Sequence, residues 1–320
     1  MNEIKLDLKD KKILYELDLD SRQSCSKIAK KVGLSTEVVN YRIKRLEEEQ
    51  IITQYQIIIN LAKLGIIQFK ICLSLQHLPS TQLNSLIEQL KKKEEIKWIV
   101  SCRGDWDLII SLEARSIYEM EMLKEEVLSL FSGNINKKAV SMLIEAETSN
   151  RGYLLDKKPT SKRIILQQEK AIELDSLDIS ILKELSNNAR IPLIDISHRL
   201  KKSPRVINYR IKQLQKNKII LGFKIAINYE KLGIKFHKLF IYLDSPNKKK
   251  IEDIENYIST NKNSITQVKV LGNWDIEPEF ETFSDEDFEN LLIEIKDKFS
   301  EIISKIDIIT ISKEHKFVYF

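Results

Sequence analysis

VVNYRIKRLEEEQII, at Val38–Ile52, occurs again as VINYRIKQLQKNKII at Val206–Ile220, and this repeat decides the fold of the chain. Asn40 maps onto Asn208, so the offset is 208 − 40 = 168 residues. Further segments keep the same register without a gap: Lys63–Gly65 with Lys231–Gly233, and Gly104–Asp107 with Gly272–Asp275. The period is far longer than that of a solenoid repeat. The sequence therefore predicts that a whole two-domain module was duplicated.

The composition is typical of several small globular domains. The chain has 320 residues, of which 42% are hydrophobic and 31% are charged, and this length exceeds one ordinary domain. No run of residues approaches the roughly 20 apolar residues of a transmembrane helix. The first residues, MNEIKLDLKDKK, lack the apolar core of a signal peptide. We therefore expect a cytoplasmic protein with no membrane partner.

Neither the cysteines nor the histidines have the spacing of a metal or disulfide site. Cys25, Cys72 and Cys102 are odd in number and far apart, which favours small buried apolar side chains over reactive thiols. The histidines are equally scattered, at His77, His198, His237 and His315. The sequence predicts no metal, no cofactor and no catalytic residue.

Each repeat begins with a pattern of three helices. In the first copy Gly33 suits a tight turn and Ser35 suits a helix N-cap. Val39, Ile43 and Leu46 then form one apolar face of a longer helix. A helix, a short helix, a turn and a long helix with a polar outer face are the arrangement of a helix-turn-helix domain. The stretch IITQYQIIIN that follows predicts a wing-like strand.

The polar face of the third helix has side chains that can contact base edges and phosphates. The predicted DNA contacts are Ser35, Thr36, Asn40, Tyr41, Lys44 and Arg45 in the first copy, and Lys201, Lys202, Ser203, Arg205, Asn208, Tyr209 and Lys212 in the second. Arg190, Arg199 and Arg210 are predicted to extend the second basic patch. In the second copy Lys201 replaces the turn glycine, but Ser203 and Pro204 predict an equally well-defined helix start.

The two copies differ in charge. Residues 6–60 contain 10 basic and 9 acidic residues, a net charge of +1, whereas residues 174–228 contain 11 and 4, a net charge of +7. Phosphate attraction depends on such a cationic surplus, so the second copy is predicted to bind double-stranded DNA. For the first copy, a solvated amphipathic helix without DNA function is the alternative.

The remainder of each repeat predicts a ferredoxin-like βαββαβ domain, so the fold class is α+β. In the first copy the expected strands are 68–75, 96–101, 107–114 and 138–145, with helices at 81–93 and 116–131. In the second copy they are near 237–243, 265–271, 276–281 and 305–312, with helices near 247–260 and 285–299. Helices cover one face of such a sheet, so the bare face should pack on a partner, within the chain or in a homo-oligomer. Glu277, Pro278 and Glu279 make one strand of the second copy polar and edge-like.

Five segments follow from these patterns. They are a first winged helix-turn-helix at 1–60, a ligand-sensing and dimerisation domain at 61–150, a linker at 151–173, a second winged helix-turn-helix at 174–228 and a second sensing domain at 229–320. The linker contains LDKKPTSKR, which predicts a solvated segment. Its later part, IILQQEKAIEL, can continue as a helix.

The hairpins Gly104-Asp105-Trp106-Asp107 and Gly272-Asn273-Trp274-Asp275 allow two interpretations. The first is a plain tight turn, because Gly-Asp and Gly-Asn tolerate positive φ angles. The second is a small-molecule site, in which turn amides and carboxylates hold the charged groups of an amino acid. The predicted effector contacts are Gly104, Asp105, Asp107, Gly272, Asn273 and Asp275.

The chain resembles the Lrp/AsnC family, the feast/famine regulators of archaea and bacteria, over nearly everything but the linker. The resemblance rests on Leu-Asp-x-x-Asp-x-x-Ile-Leu near the start, on Ser35-x-x-x-Val39-x-x-Arg42-Ile43-x-x-Leu46, on Lys63-Leu64-Gly65 and on the Gly-x-x-Asp turn. It implies DNA-binding winged helices joined to ligand-binding, dimerising domains, with the Gly104–Asp107 turn close to the effector site.

The chain also departs from that family. One polypeptide contains two modules, so a single chain can correspond to a dimer of one-module family members. Gln50 and Lys218 replace the glycine usual after the recognition helix, and Trp106 and Trp274 are bulky enough to fill an effector pocket.

We predict a sequence-specific transcription regulator that responds to an amino acid or another small effector. Two alternatives remain. Siroheme decarboxylases resemble this family in both domains, but here Tyr55 and Gln56 stand where those enzymes have a basic pair. The other alternative is a sensing and assembly module that partners other Lrp-like proteins.

Overall fold

The computed structural model of the protein describes residues 6–167, 170–244 and 247–318. Its helices are α1 (Leu8–Leu19), α2 (Cys25–Val32), α3 (Thr36–Glu48), α4 (Ser80–Lys91), α5 (Ile117–Leu130), α6 (Ser176–Asn187), α7 (Leu193–Leu200), α8 (Pro204–Lys216), α9 (Lys248–Thr260) and α10 (Asp285–Lys298). Its strands are β1 (Ile52–Ile59), β2 (Ile67–Leu75), β3 (Ile96–Gly104), β4 (Leu108–Ala114), β5 (Ile135–Ser149), β6 (Lys162–Leu166), β7 (Ile220–Ile227), β8 (Lys235–Leu243), β9 (Ser264–Leu271), β10 (Ile276–Thr282) and β11 (Ile303–Phe317). No helix within the described residues is long and apolar enough to cross a membrane.

Both helix-turn-helix units form as predicted, α1–α3 in the first repeat and α6–α8 in the second. The hydroxyl groups of Ser35 and Ser203 cap the third helix of each unit by accepting a backbone N–H group three residues later. Gly33 and Lys201 both adopt a left-handed conformation, with φ of 67° and 52°. The loss of the turn glycine in the second repeat has therefore left the geometry of the turn unchanged.

The strand after each helix-turn-helix pairs with its counterpart in the other repeat. β1 and β7 form a two-stranded antiparallel ribbon. The backbone N–H of Asn60 donates to the carbonyl of Ile219, and that of Asn228 donates to the carbonyl of Ile51, both at 2.9 Å. These two bonds are equivalent under the 168-residue offset. The predicted wing strands are present, and they hold the two helix-turn-helix units together around a pseudo-twofold axis.

The two βαββαβ units close into one barrel. The first sheet has the order β5-β2-β4-β3 and the second β11-β8-β10-β9, and pairing of β3 with β11 and of β5 with β9 joins their edges. One apolar core lies between each sheet and its own two helices. The faces without helices enclose the interior of the barrel, so the predicted partner of each bare face is the other repeat of the same chain.

The prediction that Glu277–Glu279 lies on an edge strand was wrong. β10 pairs with β8 on one side and with β9 on the other, and Glu277 is fully buried. Its carboxylate lies 2.5 Å from the Lys70 ammonium and 2.9 Å from that of Lys238. Successive side chains of β10 point alternately towards the helices and towards the interior of the barrel. Glu277 points towards the interior, where its carboxylate forms ion pairs.

The segment 151–173, predicted as a linker with a solvated LDKKPTSKR stretch, is exposed at residues 156–158, 160 and 162 but begins with a buried turn at 151–154. Arg151 is 2% exposed; its guanidinium bonds to the carboxylates of Asp18 and Glu281, at 2.6 and 2.8 Å. Residues 162–166 form β6, which pairs with the end of β5, so residues 164–166 of the stretch IILQQEKAIEL form a strand and not the expected helix. Residues 168 and 169 of the expected helix lie outside the described residues. The connection is thus part of the fold, because Arg151 is buried between the repeats.

Candidate nucleic-acid interface and inter-repeat cavity

The helices α3 and α8 present the polar face that was predicted to contact DNA. Tyr41 and Tyr209 occupy equivalent positions and are 67% and 59% exposed. The remaining predicted contacts are exposed at Thr36, Asn40, Lys44, Arg205 and Lys212, while Asn208 is half-buried. Asn208 and Lys212 border a cleft whose opposite wall comes from Asp20 and Arg22 of the first repeat.

The arginines of the first recognition helix are engaged within the protein. Arg42 lies 2.8 Å and Arg45 2.6 Å from the carboxylate of Asp10 on α1. Hydrogen bonds to Asp7 and Asp10 raise the pKa of the Arg42 guanidinium. The predicted DNA contact Arg45 is thereby held against α1, and Lys44 is the cation on α3 that faces solvent without an ion pair among the described residues.

The second recognition helix differs in the cations that it leaves exposed. No carboxylate of the described residues forms an ion pair with Lys201, Lys202, Arg205 or Lys212, and all four are exposed. Other members of the predicted patch are ion-paired within the second unit. The Arg210 guanidinium lies 2.7 Å from the Asp175 carboxylate, and that of Arg199 lies 2.7 Å from Glu184.

Arg190, also predicted to join this patch, has a structural role. Its guanidinium donates to backbone carbonyls of Ser21 and Gln23 and lies 5.5 Å from the ring centroid of Tyr55. Its equivalent Arg22 donates to the carbonyls of Ala189 and Ile191. The two arginines therefore join the repeats reciprocally, and the basic patch of the second unit is smaller than its net charge of +7 suggests.

One position sets the two recognition helices apart. Arg205, in the first turn of α8, corresponds to Glu37 in the first turn of α3 (205 − 168 = 37). Hydrogen bonds from its own backbone amide and from Ser35 lower the pKa of the Glu37 carboxyl, so it stays ionised. A helix N-terminus is where phosphate binds most readily. The first unit therefore places an anion where the second places a cation.

The hairpins predicted as effector contacts lie at one end of the barrel. Trp106 and Trp274 are buried, with ring centroids 6.2 Å apart, and they fill the space between the hairpins. The carboxylates of Asp107 and Asp275 accept the backbone N–H groups of Leu75 and Leu243. Gly104, Asp105, Gly272 and Asn273 are exposed at the turn surface. These contacts suit a tight turn, and the predicted effector role stays a prediction.

A cavity lies at the opposite end of the barrel, beneath the β1–β7 ribbon. Its volume is about 140 Å³, and both repeats and the Arg151 connection line it. Lys224 on β7 is 5% exposed, and its nearest hydrogen-bonding partner is the Thr148 hydroxyl at 3.5 Å. Burial lowers the pKa of this ammonium to about 8. The sequence analysis identified neither this lysine nor the cavity. The position of the lysine inside the apolar stretch LGFKIAI was a signal that could have been used.

A second charged group lines the same cavity. Glu113 on β4 is 8% exposed, and its Oε1 has no hydrogen-bonding partner. The Lys97 ammonium lies 3.7 Å from the other carboxylate oxygen. Burial nevertheless raises the pKa of Glu113 to about 7. The cavity thus contains a buried cation and a buried anion that the protein leaves incompletely paired.

Comparison with known proteins agrees with this architecture. A family model described as winged helix-turn-helix DNA-binding matches residues 6–53 and 174–220. An uncharacterized HTH-type transcriptional regulator of Pyrococcus abyssi is 32% identical over 36% of this chain and 77% of its own length. The HTH-type transcriptional regulator LrpA of Pyrococcus horikoshii is 33% identical over 41% of this chain and 87% of its own length.

Solved structures of one enzyme match nearly the whole chain. The siroheme decarboxylase NirDL, solved with an iron-uroporphyrin III analogue, aligns with a TM-score of 0.63 over 97% of this chain and 93% of its own. The identity is 14%, so this likeness concerns the arrangement of two repeats and not the chemistry. The relatives of higher identity match a single repeat and are regulators by name. The chain therefore belongs to the Lrp/AsnC family of transcriptional regulators, with the module of that family present twice in one polypeptide.

Proposed function

We propose that this protein is a sequence-specific, DNA-binding transcription regulator whose second recognition helix makes most of the phosphate contacts. The observation that carries the proposal is a group of exposed cations in the turn before α8 and on that helix, which form no ion pair among the described residues: Lys201, Lys202, Arg205 and Lys212. Cations near the N-terminus of a recognition helix can contact phosphates beside the major groove. In this proposal Asn208 and Tyr209, on the same helix, contact base edges. The first unit, with Glu37 in place of Arg205, adds orientation and weaker binding.

A reciprocal exchange tests this assignment. We expect Arg205→Glu to reduce affinity for duplex DNA by about tenfold or more, because it removes a phosphate contact and adds repulsion. Glu37→Arg should increase affinity, because it gives the first unit the cation that the second has. Fluorescence anisotropy with promoter fragments and random duplexes, over a series of salt concentrations, measures both effects.

The salt dependence separates phosphate binding from a loss of folding. Arg205→Glu should flatten the slope of log affinity against log salt by about 1 to 2 units, while Lys158→Gln, in the exposed connection, should leave it unchanged. A wild-type protein that binds upstream DNA no better than random duplex would refute the proposed function. An unchanged slope for Arg205→Glu would refute the role of α8.

A siroheme-decarboxylase-like activity is the second candidate, favoured by the whole-chain likeness to NirDL. The cavity of about 140 Å³ argues against it, since pockets for drug-sized ligands occupy roughly 300–1,000 Å³. Titration of the purified protein with siroheme, followed by absorbance and by the mass of the tetrapyrrole, tests this candidate. We expect neither a bound tetrapyrrole nor a loss of carboxyl groups.

A further inference from the structure

We propose that the cavity beneath the β1–β7 ribbon binds a small zwitterion, whose cationic group pairs with Glu113 and whose anionic group pairs with Lys224. Such a site deepens the proposed regulatory function by giving the effector a location away from the hairpins. Binding at this site requires no DNA, so it can be tested separately from that function.

The pseudo-symmetry of the fold shows what Glu113 lacks. Its equivalent in the second repeat is Glu281 (113 + 168 = 281), which is fully buried. Two nitrogens of the Arg151 guanidinium bond to Glu281 at 2.8 and 3.1 Å, and the Tyr153 hydroxyl donates to it as well. A cation supplied by the connection between the repeats therefore neutralises Glu281.

Among the described residues, Glu113 has a weaker partner than Arg151: the Lys97 ammonium lies 3.7 Å from its Oε2, and its Oε1 has no hydrogen-bonding partner. The position 168 residues after Arg151 is a tyrosine in the sequence, which carries no positive charge, and it lies outside the described residues. The pseudo-equivalent of Asp18, the other carboxylate that holds Arg151, is Ser186. Ser186 Oγ and Glu113 Oε1 are both buried without a hydrogen-bonding partner. Since a buried polar atom without a partner costs free energy, this half of the site suits a cation from outside the chain.

Lys224 supplies the opposite charge. Its ammonium is buried, and no carboxylate among the described residues lies within ion-pair distance of it. The equivalent position in the first repeat is Gln56, so the lysine breaks the symmetry of the ribbon without a counterion. A buried, unpaired ammonium is destabilising. An anionic group bound in the cavity would offset that cost through a charge-assisted hydrogen bond.

The size of the cavity limits the ligand. A volume of about 140 Å³ resembles that of an engineered protein cavity that takes up benzene. Both charges must therefore be on one compact molecule, such as an α-amino acid with a small side chain or a short ω-amino acid. Apolar wall residues, among them Leu61, Leu143 and Phe236, leave room for an aliphatic portion between the charged ends.

Calorimetry and thermal shift on the full chain without DNA test the proposal. The probes are the twenty protein amino acids and the ω-amino acids β-alanine, 4-aminobutanoate and 5-aminopentanoate. Propanoate and propylamine, which each carry one of the two charges, are the controls. We expect at least one zwitterion to bind and to raise the melting temperature. The singly charged controls should bind at least about tenfold more weakly.

Two variants locate the site. Glu113→Gln and Lys224→Gln should each weaken binding of that zwitterion by about tenfold or more. Lys224→Gln introduces the residue that the first repeat carries at Gln56, so the fold should tolerate it. The surface variants Glu125→Gln and Lys158→Gln are matched controls and should bind as the wild type does.

Two outcomes would overturn the proposal. One is that no probe binds at about 10 mM, which would mean that water alone occupies the cavity. The other is that a zwitterion binds and that neither variant weakens it, which would place the site elsewhere. A crystal structure with the bound probe is a second readout that does not depend on the variants. DNA binding measured in parallel distinguishes a failure of the ligand site from a failure of the proposed regulator function.

Discussion

Lys224 shows how a single buried charge makes stability depend on pH. Burial lowers the pKa of its ammonium to about 8, although Asp18 and Glu281 attract the charge, while Arg151 and Arg163 repel it. In the unfolded chain the pKa is that of an ordinary lysine. The destabilisation is therefore complete below pH 8 and disappears as the pH rises from about 8 towards 10.5.

Lys224→Gln is therefore expected to stabilise the ligand-free protein at pH 7, by up to roughly 3 kcal/mol. The gain should shrink as the pH rises from 8 to 10.5, because the wild-type lysine then loses its charge in the folded state while the unfolded chain still keeps it. Urea unfolding across this range measures the difference. Lys212→Gln, on the exposed face of α8, should show no such dependence, and a gain independent of pH would contradict this account.

Glu113 responds to pH in the opposite direction. Its folded pKa of about 7 lies above that of an unfolded glutamate, because burial outweighs the attraction of Lys97 and Arg115. The destabilisation is complete above pH 7 and disappears as the pH falls through 7 towards 4.5. Glu113→Gln should therefore stabilise the ligand-free protein at pH 8 and much less at pH 5, as measured by thermal unfolding. An equal gain at both values would contradict the assignment.

At the scale of elements, buried ion pairs neutralise the lysines of both sheets inside the barrel. Lys70 on β2 and Lys238 on β8 are equivalent under the offset and face each other inside the barrel. Both carboxylates that pair with them, those of Glu277 and Glu279, belong to β10. The equivalent positions on β4 hold Ile109 and Ser111, so only a first repeat facing a second repeat balances the charge.

Glu277→Gln should destabilise the protein by about 3–5 kcal/mol, because it leaves two buried ammonium groups with one remaining carboxylate partner. Adding Lys70→Gln should recover part of that loss, since it removes one of the two cations. Chemical unfolding of the single and double variants gives the coupling free energy. Strictly additive effects would show that the pair does not interact.

At the scale of the whole molecule, the repeats depend on each other. The β1–β7 ribbon, the β3–β11 and β5–β9 pairings and the Arg151 ion pairs all cross between them. A fragment that ends near residue 152 would expose the inner face of its sheet and lose these partners. It therefore cannot report on the DNA binding of the first unit in its native state.

Fragments 1–167 and 168–320, produced together, should associate one to one and recover the DNA affinity of the intact chain. Each fragment produced alone should be less stable or aggregate, because self-pairing leaves the buried charges of β2, β8 and β10 unbalanced. Size-exclusion chromatography with light scattering measures the association. Stable homodimers of either fragment that outcompete the mixed pair would contradict the charge-matching argument.

The sequence alone determined the number, order and type of the domains. Helix and strand periodicity, caps and turns depend on neighbours within a few residues, so the 168-residue repeat, α1–α3 and the βαββαβ order could all be predicted from it. The exposed polar face of α8 was also predictable, because the polar face of an amphipathic helix is a local property.

Only the tertiary structure decided which charges are available and which are buried. Arg45 and Arg190 look similar to Arg205 in the sequence, yet each is bound to a partner within the protein, 35 and 169 residues away. Glu277 looked like part of an edge strand, and Arg151 like part of a linker, until the pairing of the repeats buried both. The physical reason is that ion pairing and burial depend on which distant segments meet, and in this chain they meet across a pseudo-twofold axis that the order of residues does not display.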